Sequence, residues 1–427
     1  MPDESEKPAA SRRAVMLVVL VAALGYFVDI FDLLLFGLVR KKSLIEIMQA
    51  ELAGKSPEEV DKILSATGIW LDSILQTTGL LVGGLVWGIV ADRFGRLKVL
   101  FGSILAYSLA NLANAYVQDV QMYGVLRFVA GFGLAGELGA GITLVSELVS
   151  RERRGFATTF VAAVGILGAV AGYFVTKWVD WRTAFIIGGV LGLALLALRI
   201  GVVESGMFMR AEHAHVRHRG AFWLLFWPPE RLRRYASTVL IAVPIWFVVG
   251  TLVKYCDRIM PSLGLPIEQK PDPGRAIMWC YVGLALGDLG SGLLSQWLKS
   301  RRKAIALFHL LTVAAIALYF TVASRSIDAF YAVICVVGFA SGYWAVFATI
   351  AAEQFGTNLR GTAATTAPNV VRWSAAWTGG AWLWLSESWD SPWKAALAVG
   401  VVIVPLAMVA TLGLKESYAS DLEFNED

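Results

Sequence analysis

The sequence predicts an all-α membrane protein, twelve transmembrane helices in two pseudo-symmetric six-helix bundles. Three observations predict it. The chain is 57% hydrophobic and 16% charged, with a mean hydropathy of +0.63, which is more apolar surface than a soluble core can bury. Twelve segments are apolar enough, at about 20 residues each, to cross a hydrocarbon layer roughly 30 Å thick. One phrase, Glu, six residues, Arg-Gly, occurs at Glu147 to Arg154-Gly155 and again at Glu353 to Arg360-Gly361. The copies stand 206 residues apart in a chain of 427, so the two halves are related and each closes an apolar run with the same charged phrase.

The first six spans are read at 14–39, 67–91, 98–117, 121–148, 155–178 and 182–203. The second six are read at 236–259, 275–298, 303–322, 327–351, 361–385 and 392–414. This divides the chain into a first bundle, 1–203, a linker, 204–235, a second bundle, 236–414, and a tail, 415–427. The larger share of the 37 Lys and Arg falls on one side if both termini are cytoplasmic, the side on which positive charge is retained. Arg40-Lys41-Lys42 departs from that bias, softened by Glu46, Glu51, Glu58, Glu59 and Asp61 after it.

The start is polar and lacks a small-residue cleavage site, so the first span is expected to stay in the protein. The long outer segment 42–66 reads as one or two short helices, with Ser56-Pro57-Glu58-Glu59 as a helix start. The linker interleaves basic residues with Phe222, Trp223, Phe226 and Trp227, which suits an amphipathic piece on the inner headgroup surface. Cys256, Cys280 and Cys335 lack paired or metal-ligand spacing and read as packing. His213, His215 and His218 sit in an Arg-rich loop without the carboxylate or thiol support of a metal site. A net charge of +4 spread over the inner loops does not imply nucleic-acid binding. No nucleophile and base pair, phosphate loop or dinucleotide turn points to an enzyme or a cofactor.

Ionisable groups at mid-bilayer are functional candidates by default, because each costs several kcal/mol unless it faces a cavity or a partner. Asp29 and Asp32 are three apart on span one, on one helix face, with Cβ atoms about 5–6 Å apart. Carboxylates that close resist ionising together, as a proton-carrying site requires. Arg127 on span four can hold them when they are charged, and its release on their protonation would permit an inward swing. The alternative is a fixed ion pair. Glu137, ten residues on, is either a second proton or substrate group or a carboxylate bonded to a neighbouring helix. In the second half, Asp288 lies on span eight, and Asn369 and Arg372 on span eleven. A guanidinium in a low-dielectric cavity binds carboxylate or phosphate bidentately, so Arg372 marks an anionic substrate unless Asp288 occupies it. Lys254 can assist. Trp373, Trp377, Trp382, Trp384, Trp389 and Trp393 read mostly as an interfacial belt, with Trp373 and Trp377 deep enough to stack on a planar substrate.

The halves align elsewhere too. Gly136 falls on Gly342, and Glu204-Ser205 is matched by Glu416-Ser417. Gly88-Ile-Val-Ala-Asp92-Arg93-Phe-Gly95-Arg96-Leu-Lys98 resembles the Gly-x-x-x-Asp-Arg-x-Gly-Arg-x-Lys/Arg signature of the major facilitator superfamily. Aligning Gly292 with Gly88 leaves only a relic in the second half, Gln296 opposite Asp92, with Lys299, Arg301, Arg302 and Lys303. The Glu147 to Arg154 and Glu353 to Arg360 phrases resemble the same element of sugar porters and related symporters. Gly25-Tyr-Phe-Val-Asp29-Ile-Phe-Asp32, Arg127-Phe-Val-Ala-Gly131 and Gly136-Glu137 resemble metabolite:proton and aromatic-acid:proton symporters. Glu204-Ser205-Gly206 echoes their Glu-Ser-Pro phrase without its proline. Span five lacks the proline of drug antiporters, and spans five and seven lack the glutamines of sugar porters.

The resemblance implies gating by Gly88, Asp92, Arg93, Arg96, Glu147, Arg154, Glu353 and Arg360. Gly88 is expected to let helices approach closely, and Arg96 to reach Glu147. It implies a monomeric, proton-coupled symporter of a small organic carboxylate in a bacterial inner membrane, with substrate, protons and lipid as partners. Two alternatives stay open: a carrier of phosphate, a zwitterion or a cation bound by Asp29, Asp32 or Glu137, and a non-transporting nutrient sensor on the same fold.

Overall fold

The computed structural model of the protein describes residues 12–94, 96–136, 160–204, 222–418 and 426. In the first half α1 is Arg12–Ile47. Then α2 runs through Pro57–Gly68, a π-helical stretch Ile69–Gln76 and Thr77–Phe94. The half continues with α3 Arg96–Asn114, α4 Val120–Leu134, α5 Phe160–Trp178 and α6 Trp181–Glu204. In the second half α7 covers Pro229–Val253, ending in a π-helical stretch Val248–Val253. It is followed by α8 Pro273–Trp297 and α9 Arg301–Thr321. The broken α10, Ile327–Ala340 then Trp344–Glu353, leads to α11 Thr357–Ser388 and α12 Pro392–Gly413. With no water in a bilayer core, helices that satisfy their own backbone groups are the form such apolar segments can take.

Helix starts follow side-chain chemistry. The expected start at Ser56 is a capping box, Ser56 Oγ accepting from Glu59 N while Glu59 accepts from Ser56 N at 2.8 Å. Asp119 accepts from Met122 N at 2.7 Å, Ser300 from Lys303 N at 3.1 Å and Ser326 from Ala329 N at 3.1 Å. One boundary differs from the sequence reading. The first helix runs to Ile47, beyond the expected end at 39, because Arg40, Lys41 and Glu46 find partners along its outer turns.

Glycines set the tightest packing and show the internal symmetry. A Cβ on Gly79 or Gly83 of α2 would collide with the carbonyls of Phe128 or Phe132 on α4, and one on Gly131 with that of Gln76. In the second half a Cβ on Gly283 or Gly287 of α8 would collide with the carbonyls of Cys335 or Phe339 on α10, and one on Gly338 with that of Cys280. Small residues four apart let the backbones touch, and the two pairs stand in the register that aligns Gly88 with Gly292. The close packing expected at Gly88 does not involve the described residues. Among the described residues nothing stands within 4 Å of a Cβ placed there.

The tryptophan belt also needs one correction. Trp384 and Trp389 are exposed as expected, but Trp382 is fully buried, its Nε1 donating to Pro392 O at 3.0 Å and its ring 5.1 Å from that of Tyr255. It fills the core between α11 and α7. Cys256 and Cys280 are buried, Cys335 is half-buried, and all three are free thiols.

Candidate functional site

Span-embedded charges converge from α1, α4, α8 and α11. Asp29 and Asp32 are both buried on α1, with Asp32 against Gly188 of α6, where any larger residue would displace the carboxylate. Arg127 of α4 is wholly buried, and Asp32 lies within its electrostatic reach. Its Nε donates to Asn114 Oδ1 at 3.2 Å and one Nη to Asn111 Oδ1 at 3.1 Å, while the guanidinium sits 4.8 Å from the Phe185 ring centre. The two asparagines of α3, which sequence reasoning passed over, thus fix the orientation of Arg127.

Between the halves lies a narrow cavity lined by Tyr26, Trp246, Val249, Tyr281, Trp344 and Arg372 among others. Its volume of about 20 Å³ holds roughly one water, so a substrate enters only when the halves part. Arg372 is buried and donates to Asn369 Oδ1 at 3.3 Å. Its guanidinium stands 5.5 Å from the Trp344 ring centre, and its Nε has no hydrogen-bond partner among the described residues.

The anticipated Asp288 to Arg372 ion pair does not form. Asp288 accepts from Ala345 N at 3.1 Å, capping the half-helix that restarts α10 at Trp344. Asn369 faces the other way as well, its Nδ2 donating to Ala135 O of the first half at 3.3 Å. Trp373 likewise donates across the seam to Thr78 Oγ1 at 3.2 Å, whereas Trp377 is 42% exposed.

Lys254, expected beside Arg372, is paired instead with Asp72 of α2. That pair is buried and joins the two halves at one end of the cavity. Further pairs seal the same face. Arg40 and Lys41 both reach Asp257, at 3.5 Å and 2.5 Å, Lys270 pairs with Asp61, and Lys177 with Asp272 at 2.9 Å. The Arg40-Lys41-Lys42 run that broke the charge bias is therefore largely a set of seam contacts. Asp72 carried a signal in the sequence, a carboxylate inside an apolar span; the cavity rings Tyr26, Trp246, Tyr281 and Trp344 carried none, being ordinary span residues.

At the other end of the second half, Glu353 receives Arg301 at 3.3 Å and Ser417 Oγ at 2.7 Å. The relic basic loop thus still supplies a cation to the repeated glutamate, as Arg96 was expected to do for Glu147. Arg360 is half-buried on α11. The side chains of Asp92, Arg93 and Arg96, and residues Glu137, Glu147, Arg154, His213, His215 and His218, lie outside the described residues. Among the described residues no group of three or more His, Cys, Asp or Glu is arranged to hold a metal.

Residues 15–376 match the family model of the Major Facilitator Superfamily. The chain belongs to this superfamily. It is therefore a membrane transporter rather than an enzyme. Among superfamily relatives it is 27% identical over 358 residues to the 3-(3-hydroxy-phenyl)propionate transporter of Escherichia coli, covering 80% of this chain and 84% of that one. It is 27% identical over 321 residues to the niacin transporter NiaP of Acinetobacter baylyi, covering 68% and 72%. It is 30% identical over 225 residues to the 4-hydroxybenzoate transporter PcaK of Pseudomonas putida, covering 52% and 44%. In fold it is similar to the superfamily's proton:xylose symporter XylE bound to 6-bromo-6-deoxy-D-glucose. There the TM-score is 0.68 at 16% identity, with 97% of this chain and 98% of that one covered.

Proposed function

We propose that the protein carries a small organic carboxylate, aromatic in its preferred members, together with a proton. The observation that carries this reading is Arg372. It is a buried guanidinium on the cavity wall, with an unused Nε donor and no ion-pair partner among the described residues, set among Tyr26, Trp246, Tyr281 and Trp344. A guanidinium supplies paired donors to a carboxylate, and the flat rings supply faces for an aromatic body. The relatives named for hydroxyphenylpropionate, niacin and 4-hydroxybenzoate support the class.

The halves 1–203 and 236–414 rock about this cavity, with the linker 204–235, the tail 415–427 and both termini in the cytoplasm of a bacterial cell. Asp29 and Asp32 take the proton, and Arg127 responds to their charge. The test is a thermal-shift and counterflow screen of the purified protein with 4-hydroxybenzoate, 3-(3-hydroxyphenyl)propionate and nicotinate against nicotinamide and xylose. Stabilisation and exchange by the carboxylates alone are expected. Equal response to nicotinamide, or response to xylose only, would overturn the reading.

A further inference from the structure

The Asp72 to Lys254 pair joins the two halves directly beside the central cavity. Lys254 N bonds back to Val249 O at 3.3 Å, and Val249 lines that cavity. Both partners belong to widened helical turns, Asp72 within Ile69–Gln76 and Lys254 just after Val248–Val253. Such π-turns interrupt regular helix and gather at functional positions. On α1, a Cβ at Gly37 would press on Lys254 Cε at 3.3 Å, so the glycine leaves the lysine stem its path to Asp72.

We propose that Asp72 is a transport residue: its carboxylate, held by Lys254 across the seam, locks the cavity shut from the outside, and a proton on Asp72 releases it. Both side chains are only 6% exposed. Separating a buried pair strands two charges, at a cost of several kcal/mol. Protonation removes one of those charges at the moment of parting, while the long lysine stem carries the other outward to water.

The remaining groups around Asp72 do not substitute for the lysine. Tyr255 of the α7 region, Tyr123 and Arg127 of α4 and Tyr281 of α8 lie within its electrostatic reach, but among the described residues only Lys254 is an ion-pair partner. Asp257, in contrast, is shared by Arg40 and Lys41, and Asp61 by Lys41 and Lys270. Among the described residues Asp72 is therefore the buried seam carboxylate with one cation partner, whereas Asp272, held by Lys177 alone, is exposed. Arg127 is within reach of Asp32 as well as Asp72, which places the lock beside the first-half carboxylates without requiring that they carry the transported proton. The inference stands whatever the substrate.

The test is external accessibility of the cavity. Cys256, Cys280 and Cys335 are replaced by Ser, Val249→Cys is introduced, and right-side-out vesicles are labelled with a membrane-impermeant maleimide. All rates are taken relative, at each pH, to that of a fully exposed cysteine, because maleimide reacts with the thiolate and its share falls with pH; in this parent the relative rate should rise as external pH is lowered. Asp72→Asn should label at the fast rate throughout, roughly tenfold above the parent at the higher pH. Asp72→Lys combined with Lys254→Asp should restore slow labelling there. An Asp72→Asn protein that keeps the parent's rate and pH dependence overturns the proposal. Should that variant fail to reach the membrane, Lys254→Gln takes its place: fast labelling is expected, and the parent's rate would overturn the proposal equally. None of these outcomes depends on carboxylate transport.

Discussion

Asp288 of α8 accepts a hydrogen bond from the backbone of Ala345 at 3.1 Å, at the point where α10 restarts after its break. A carboxylate at a helix start satisfies an orphan amide and complements the positive end of the dipole. This explains why Asp288 leaves Arg372 to other partners, and it makes the residue structural in the first instance. Asp288→Asn keeps an acceptor and should change stability by about 1 kcal/mol or less. Asp288→Leu strands the amides and should lose about 1–3 kcal/mol, read as a lower Tm in detergent.

The glycine contacts predict a sharper loss. In Gly131→Val or Gly283→Val the new side chain meets the carbonyl of Gln76 or Cys335 across two touching backbones, and overpacking there costs about 1–3 kcal/mol or more. Both variants should fall markedly in membrane abundance. Gly380→Ala on α11, where nothing stands within 4 Å, should be neutral or gain up to about 1 kcal/mol of helix preference.

Much of this was legible in the sequence, and the reason is physical. Spanning segments must be long and apolar, so the twelve helices, the doubled halves and the start at Ser56 could be read from local pattern. Asp29, Asp32, Arg127 and Arg372 stood out because charge inside a span is rare. Partners were harder to read, since they depend on which helix faces lie together. Lys254 was assigned to the substrate and found on Asp72; Asp288 was offered to Arg372 and found capping α10. Trp382 was placed at the interface and found in the core, because composition near a span end does not reveal which side faces lipid.

The segment after α12 should respond to acid. Burial disfavours the charge of Glu416, but hydrogen bonds from Ser300 Oγ and from the amides of Tyr418, Arg301 and Arg302 outweigh it and hold its carboxyl below the ordinary range. A depressed carboxyl stabilises above its unfolded value and loses that contribution as pH falls through the folded one. The hydrogen-exchange protection of 415–418, taken against the intrinsic rate at each pH, should therefore fall on acidification below the usual glutamate range. Glu416→Gln should exchange rapidly at neutral pH and show little further change.

Asp32→Asn tests the first-half carboxylates. With one member of the pair permanently neutral, substrate exchange should continue while the response to an imposed pH gradient falls by roughly tenfold or more. Uptake that stays fully sensitive to collapse of the gradient would remove Asp32 from proton handling.

Arg372 is the group proposed to read the substrate's carboxylate. Calorimetric titration of the purified protein with the best carboxylate from the screen measures this directly. Arg372→Lys should fold and reach the membrane, yet bind about 10- to 100-fold more weakly, the loss of about 1.5–3 kcal/mol expected for a charge-assisted hydrogen bond. An Arg372→Lys protein that binds the same carboxylate as tightly as the native chain would contradict that role.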